Sequence, residues 1–146
     1  MNLRWIENTE NINWQELSNL YKIAPLGNKS PNNLKTVFTT SLYVFFVYKN
    51  NQLIGAGRAL ADGVDCSYLC DVAVHPDCQG EGIGKQIIKK LINASKGHQK
   101  IILYAVPGKE AFYENVGFAK MKTAMAIFKN QAQAQEWGLI EVGCDA

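Results

Sequence analysis

The stretch Asp71-Val-Ala-Val-His-Pro-Asp-Cys-Gln-Gly-Glu-Gly-Ile-Gly-Lys85 constrains this chain more than any other. A strand-like run meets a Pro turn, a glycine-rich loop follows, and a basic amphipathic helix begins directly after it. Strand, glycine loop and helix N-terminus together make a phosphate-binding device. Backbone N–H groups point out of such a loop, no Cβ blocks close approach, and the helix dipole favours negative charge. Spacing then removes two familiar ligands. A nucleoside-triphosphate loop needs Ser or Thr after its Lys, but Lys85 is followed by Gln86, and the earlier glycine is missing. A dinucleotide fingerprint starting at Gly80 and Gly82 would need glycine where Lys85 stands.

The surrounding elements follow from periodicity and punctuation. Leu3 to Glu7 reads as a first strand, Asn13 caps a helix with Trp14, Leu17, Leu20 and Tyr21 on one face, and Ser30-Pro31 opens a short second helix. Leu42 to Tyr48 is dense in aromatic and β-branched residues and reads as a strand, with a hairpin turn at 49–52 and a return from Leu53 to Leu60. Cys66 to Val74 is the strand entering the glycine loop. After the loop, Ile83, Ile87, Ile88, Leu91 and Ile92 share a helix face, Lys85, Lys89, Lys90 and Lys96 take the other side, and Gly97 is the expected C-cap. Lys100 to Val106 reads as a buried strand, Lys109 to Val116 as a short helix, Phe118 to Phe128 as one or two strands, and Gln131 to Trp137 as a weak helix. The order β-α-α-β-β-β-α-β-α-β predicts an antiparallel meander and then a crossover. The fold class is therefore α/β, with a mixed, mostly antiparallel sheet of six to seven strands and helices on both faces. A parallel pair splaying beside the loop would leave the ligand cleft.

Bulk properties exclude several classes. The 146 residues fit one domain, and 47% hydrophobic with 19% charged residues is globular. A net charge of +2 gives no case for a nucleic-acid partner. The longest apolar runs are far short of a ~20-residue membrane span, and Met1-Asn-Leu-Arg-Trp5 is not a signal region, so a cytoplasmic protein is expected. Cys66, Cys70, Cys78 and Cys144 fit neither a zinc pair nor a C-x-x-C motif and are read as free thiols; no metal is expected.

What fits the loop is Q-x-x-G-x-G, as Gln79-Gly-Glu-Gly-Ile-Gly84, and a second segment, Ala111-Phe-Tyr-Glu-Asn-Val-Gly-Phe118, has the form F-Y-x-x-x-G-F. The two stand in order, 29 residues apart from Gly84 to Tyr113, with a strand between them. Both resemble the GNAT superfamily of acetyl-CoA-dependent N-acetyltransferases, from about Leu42 to Phe128, and the order of elements matches. The resemblance implies a single N-acetyltransferase domain over 1–146, with a core of about 42–128 and a tail from 129 to 146.

It also assigns roles. Gln79, Gly80, Glu81, Gly82, Ile83, Gly84 and Lys85 would hold the pyrophosphate of acetyl-CoA. Val72, Ala73 and Val74 would pair with the pantetheine arm as an added strand does, and a bulge there would offer an N–H to the thioester carbonyl; Asn115 is a further cofactor contact. Tyr113 would be the general acid for the departing thiolate. The base stays open: Asp71 leads, as base or water relay, with Asp62, Asp65, Tyr21 and His75 as alternatives. His75, before Pro76, also reads as a turn residue, and Tyr21 and Asp62 are candidate substrate contacts. The expected acceptor is a small primary amine, and Ala59 to Asp65, the loop-entering strand and Met121 to Phe128 look like the arylalkylamine or serotonin-acetyltransferase branch. A protein or peptide acetyltransferase and a non-catalytic acyl-CoA-binding module are the alternatives. A homodimer is common in the family, and Trp137, Leu139 and Ile140 would give it an apolar surface.

Overall fold

Tyr43-Val-Phe-Phe-Val-Tyr-Lys49 can bury both of its faces, and it forms β2 (Tyr43–Lys49), next to the middle of the sheet. In the computed structural model, which describes residues 2–141, five strands stand in the order β1-β2-β3-β4-β5. These are β1 (Leu3–Ile6), β2, β3 (Gln52–Ala61), β4 (Cys66–Val74) and β5 (Lys100–Ile102). The first four pair antiparallel, and β4 pairs parallel with β5. Asn50 and Asn51 turn the β2–β3 hairpin at φ of 51° and 63°, the left-handed values that Asn tolerates best after Gly.

Two helical layers cover the sheet. Helices α1 (Trp14–Ile23) and α2 (Pro31–Thr39) carry the caps expected of them, the Asn13 and Ser30 side chains accepting from the N–H groups of Glu16 and Asn33. On their side, Leu17, Leu20, Tyr21, Leu34 and Phe38 pack with Val44, Phe46, Ala56 and Ala73. On the opposite side lies α3 (Ile83–Ala94), through Ile83, Ile87, Ile88 and Leu91. A Cβ on Gly57 of β3 would come 2.7 Å from Ile87 Cγ2, so glycine there lets α3 lie close on the sheet. The helix ends at Ser95 rather than Gly97: the buried Ser95 hydroxyl donates to the Leu91 carbonyl and also bonds the Ser67 hydroxyl of β4. No helix among the described residues is long and apolar enough to cross a membrane.

The chain forms two compact units, divided after Leu103. The sheet and the first three helices make up the first. The second contains α4 (Glu110–Asn115), α5 (Gln131–Glu136, capped by Asn130) and irregular chain. Here the expected count of six to seven strands is corrected to five among the described residues. The strand predicted from Lys100 to Val106 stops at Ile102, and Phe118 to Phe128 forms no strand. Alternation is present in that segment, with Met121, Met125 and Ile127 at every second or fourth position, but they are 55%, 96% and 95% exposed. A strand is fixed by its ladder partner, and none of the five strands pairs with this segment. Trp137 is 61% exposed, and Cys144 lies outside the described residues.

Candidate active site

The site starts from an irregularity in β4. Ala56 pairs with Ala73 and Arg58 with Cys70, so one residue of β3, Gly57, faces two of β4, Asp71 and Val72. That is a β-bulge, and Asp71 carries it at φ 56°, a left-handed conformation that Asp accepts more readily than most residues. Three side chains fasten it. The Tyr21 hydroxyl donates to the Asp71 carbonyl oxygen. Arg58 Nε donates to Asp71 Oδ2 at 2.8 Å, and Lys29 Nζ lies 3.6 Å from Oδ1. Arg58 is 11% exposed and Lys29 32%, so solvent screens the lysine and the arginine carries most of the attraction. Arg58 Nη1 also donates to Ser41 Oγ at 3.2 Å. Burial, and then the Asp71 charge, hold the Tyr21 phenol well above its ordinary pKa, which keeps its proton in place for this bond.

Strand β4 runs on past its pairing with β5. Its last pair with β5 is Tyr68 with Ile102, and the strand continues to Val74. Val72, Ala73 and Val74 therefore lie past the end of the β5 ladder. A short 3-10 turn, Pro76–Cys78, follows, with His75 as its cap: His75 Nδ1 accepts from the Asp77 N–H at 3.1 Å. Gln79 Nε2 donates to the Val74 carbonyl at 3.2 Å and ties the loop to the strand. Gly80 and Gly82 then adopt φ of 86° and 80°, with nothing within 4 Å of the Cβ that either lacks. Gly82 is the N-cap of α3 and supplies no side-chain bond to its first turn, which leaves those N–H groups for an anion. Glu81 is held by Lys49 at 3.4 Å, Ile83 is buried, and Gly84 and Lys85 are half-buried in the first turn of α3. A bulge, a strand end beyond the β5 ladder and an uncapped helix start thus lie on one short segment of chain. Such an array can pair with an amide-bearing arm, donate to a carbonyl oxygen and bind a diphosphate.

Within the second unit, Tyr113 lies on α4, half-buried, its ring 5.1 Å from Phe112 and 6.1 Å from Phe118. Its carbonyl accepts the Phe118 N–H at 3.1 Å, which fixes the F-Y-x-x-x-G-F turn. Burial raises the Tyr113 pKa above the ordinary 10.0. Asn115 is the exposed last residue of α4.

Among the first unit's candidates, the bulge brings together Tyr21 and Asp71. Tyr21 is fully buried with its hydroxyl committed, so what it gives the site is support from beneath. Asp62 lies elsewhere: its carboxylate accepts the N–H groups of Val64, Asp65 and Cys66 and builds the β3–β4 turn. Those bonds lower its pKa below the ordinary 3.8. The five residue steps from Cys66 to Asp71 put that turn roughly 16 Å along β4 from the bulge. Asp65 is turned to Lys100, at 3.0 Å. Burial raises the Cys70 and Cys78 thiols, which makes them poor nucleophiles. Among the described residues no group of three His, Cys, Asp or Glu could hold a metal. Sequence reasoning missed Arg58, Lys29 and Ser41. The available signal was Arg58 itself, a lone charge inside the apolar strand Leu53 to Leu60.

Residues 41–120 match the family described as acetyltransferase (GNAT) domain. An uncharacterized N-acetyltransferase, ycf52, of Porphyra purpurea is 31% identical over 122 residues, covering 80% of this chain and 70% of that protein. The chloroplastic serotonin N-acetyltransferase 2 of Oryza sativa subsp. japonica is 37% identical over 87 residues, covering 56% of this chain and 44% of its own length. Among solved structures, a probable acetyltransferase from methicillin-resistant Staphylococcus aureus superposes with a TM-score of 0.76 over 87% of this chain and 98% of that one. At 18% identity this likeness speaks to fold alone.

Proposed function

The chain belongs to the GNAT family of acetyltransferases, and on that premise we propose that it transfers an acetyl group from acetyl-CoA directly to the primary amine of a small molecule. One observation carries the reading: the bulge at Asp71, the end of β4 beyond the β5 ladder and the uncapped glycine start of α3 lie on one short segment of chain, from Asp71 to Ile83. Gly80, Gly82, Gly84 and the first N–H groups of α3 hold the diphosphate, with Gln79 and Lys85 beside them. Val72, Ala73 and Val74 pair with the pantetheine amides. A backbone N–H of the bulge donates to the thioester oxygen as negative charge develops there.

The amine nitrogen forms the new C–N bond as the C–S bond breaks. It loses a proton to water or a carboxylate, and the thiolate takes one from Tyr113. Asp71 is the carboxylate at the bulge, but Arg58 and Lys29 already occupy its oxygens. Water relayed past Asp71 therefore fits the proton's route better than direct abstraction. The similarity to a rice protein named for serotonin supports a small amine as acceptor.

Thiol release from acetyl-CoA, measured across arylalkylamines, polyamines and short peptides, tests the reading. Turnover with free amines is expected. Turnover confined to peptides would replace the small-molecule acceptor by a protein one, and tight CoA binding without turnover on any amine would make the chain a binding module.

A further inference from the structure

The side chains beneath the bulge, Tyr21, Arg58, Lys29 and Ser41, take no part in holding the donor, yet they converge on it. They join the loop before α2, the chain just past its C-cap and three other elements at one point: Lys29, Ser41, Tyr21 of α1, Arg58 of β3 and Asp71 of β4. Arg58 is largely withdrawn from solvent, its guanidinium 5.9 Å from the centre of the Phe38 ring. Desolvating a guanidinium is costly unless its donors are used, and here two are used, on Asp71 and Ser41. The tyrosine bond is more specific still. It grips the backbone carbonyl of the one residue that departs from β geometry, at φ 56°.

A left-handed Asp is strained relative to an extended one, and nothing in the local sequence demands it. Pairing with β3 would be satisfied equally by a regular strand. The bulge persists because its carbonyl is held from below by Tyr21 and its side chain from beside by Arg58. Relaxing it would leave a buried phenol without its acceptor and a largely desolvated guanidinium without its carboxylate.

We propose that Tyr21 and Arg58 are positioning residues for acyl transfer, a two-point clamp that keeps Asp71 left-handed and thereby aims the backbone N–H of the bulge. The proposal rests on the acetyltransferase reading above, and it adds residues that touch neither substrate. Charge alone does not account for the clamp, because Lys29 already supplies charge to Asp71; the fork geometry of arginine and a phenolic donor do.

Tyr21→Phe removes one oxygen and keeps the ring, Arg58→Lys keeps the charge and loses the fork, and Ser41→Ala, at the edge of the cluster, is a mild third variant. Three quantities are read on each: exchange of the Cys70 and Ala73 amides, which flank the bulge in the β3–β4 ladder, in ligand-free protein, the calorimetric Kd for CoA, and kcat on the best amine. Exchange should rise about ten-fold or more for Tyr21→Phe and Arg58→Lys while the amides of α3 stay protected. With it, kcat should fall about ten-fold or more and Kd should move less than about two-fold; Ser41→Ala should show the same pattern at roughly two- to five-fold. Unchanged exchange at the bulge overturns the clamp whatever the kinetics do. Faster exchange with unchanged kcat overturns the positioning role. Faster exchange in a protein whose wild type turns over no amine leaves the clamp standing and removes the acetyltransferase reading instead. Should Arg58→Lys fail to fold, Tyr21→Phe and Ser41→Ala decide the matter.

Discussion

A phenol serves as a proton donor only while it keeps its proton, and Tyr113 keeps it firmly. Burial beside Phe112 and Phe118 raises its pKa above 10.0, so below that pH the group is neutral. The sign excludes a resting tyrosinate, so Tyr113 can give a proton to a departing thiolate but cannot start by taking one from the amine. Phenylalanine would keep the ring contacts and lose only the proton. Tyr113→Phe is therefore expected to lower kcat by about ten-fold or more, about 1.4 kcal/mol of barrier, with the Kd for acetyl-CoA almost unchanged. Steady-state kinetics alongside calorimetry would separate the two quantities, and an unaltered kcat would take Tyr113 out of the reaction. Its neighbourhood was readable in the sequence because an F-Y-x-x-x-G-F turn is local. The Tyr21 hydroxyl was not, since its acceptor is a backbone oxygen fifty residues away.

At the scale of an element, the loop from Gln79 to Lys85 puts glycine to a use that substitution can isolate. Gly82 at φ 80° has nothing within 4 Å of its missing Cβ, so a side chain there would meet ligand before protein. Aspartate at that position would be strained by the left-handed backbone, about 1–2 kcal/mol, yet as an N-cap it would gain much of this back. Gly82→Asp is thus expected to leave the fold nearly as stable while its carboxylate repels the diphosphate and abolishes CoA binding by calorimetry. Micromolar binding in that variant would move the diphosphate elsewhere. This loop, and the strand before it, were legible from sequence because spacing, φ preference and helix start are all short-range. The strand count was not. Phe118 to Phe128 has the alternation of a strand, but Met125 and Ile127 stand exposed, and no sequence pattern says whether a neighbouring edge exists to pair with. The bulge was implied by the family resemblance and not by the residues themselves, because one extra residue in β4 against Gly57 shows only in the register of two strands.

Across the whole sheet, the two faces divide the labour. Helix α3 lies on one face, and its first turn is the proposed donor site; α1 and α2 lie on the other, and the buried Tyr21 of α1 bonds the bulge. Damage to one face should then be separable from damage to the other. Phe38 is the place to ask. It is fully buried on the α1–α2 side, with rings of Phe46 at 5.2 Å, Trp14 at 6.3 Å and Tyr21 at 6.4 Å, and Arg58 rests against it. Phe38→Ala should lower unfolding stability by about 3–5 kcal/mol in urea, the usual cost of emptying an aromatic site. A loss of that size is a large fraction of a domain's total stability, so the milder Phe38→Leu is the variant for kinetics. Its side chain still fills much of the site, but Tyr21 and Arg58 both lose a planar wall. Turnover should then fall with little change in CoA affinity, because the α3 face is untouched. A matching loss on the donor side, with CoA binding weakened in step with kcat, would mean that the faces are coupled through the sheet.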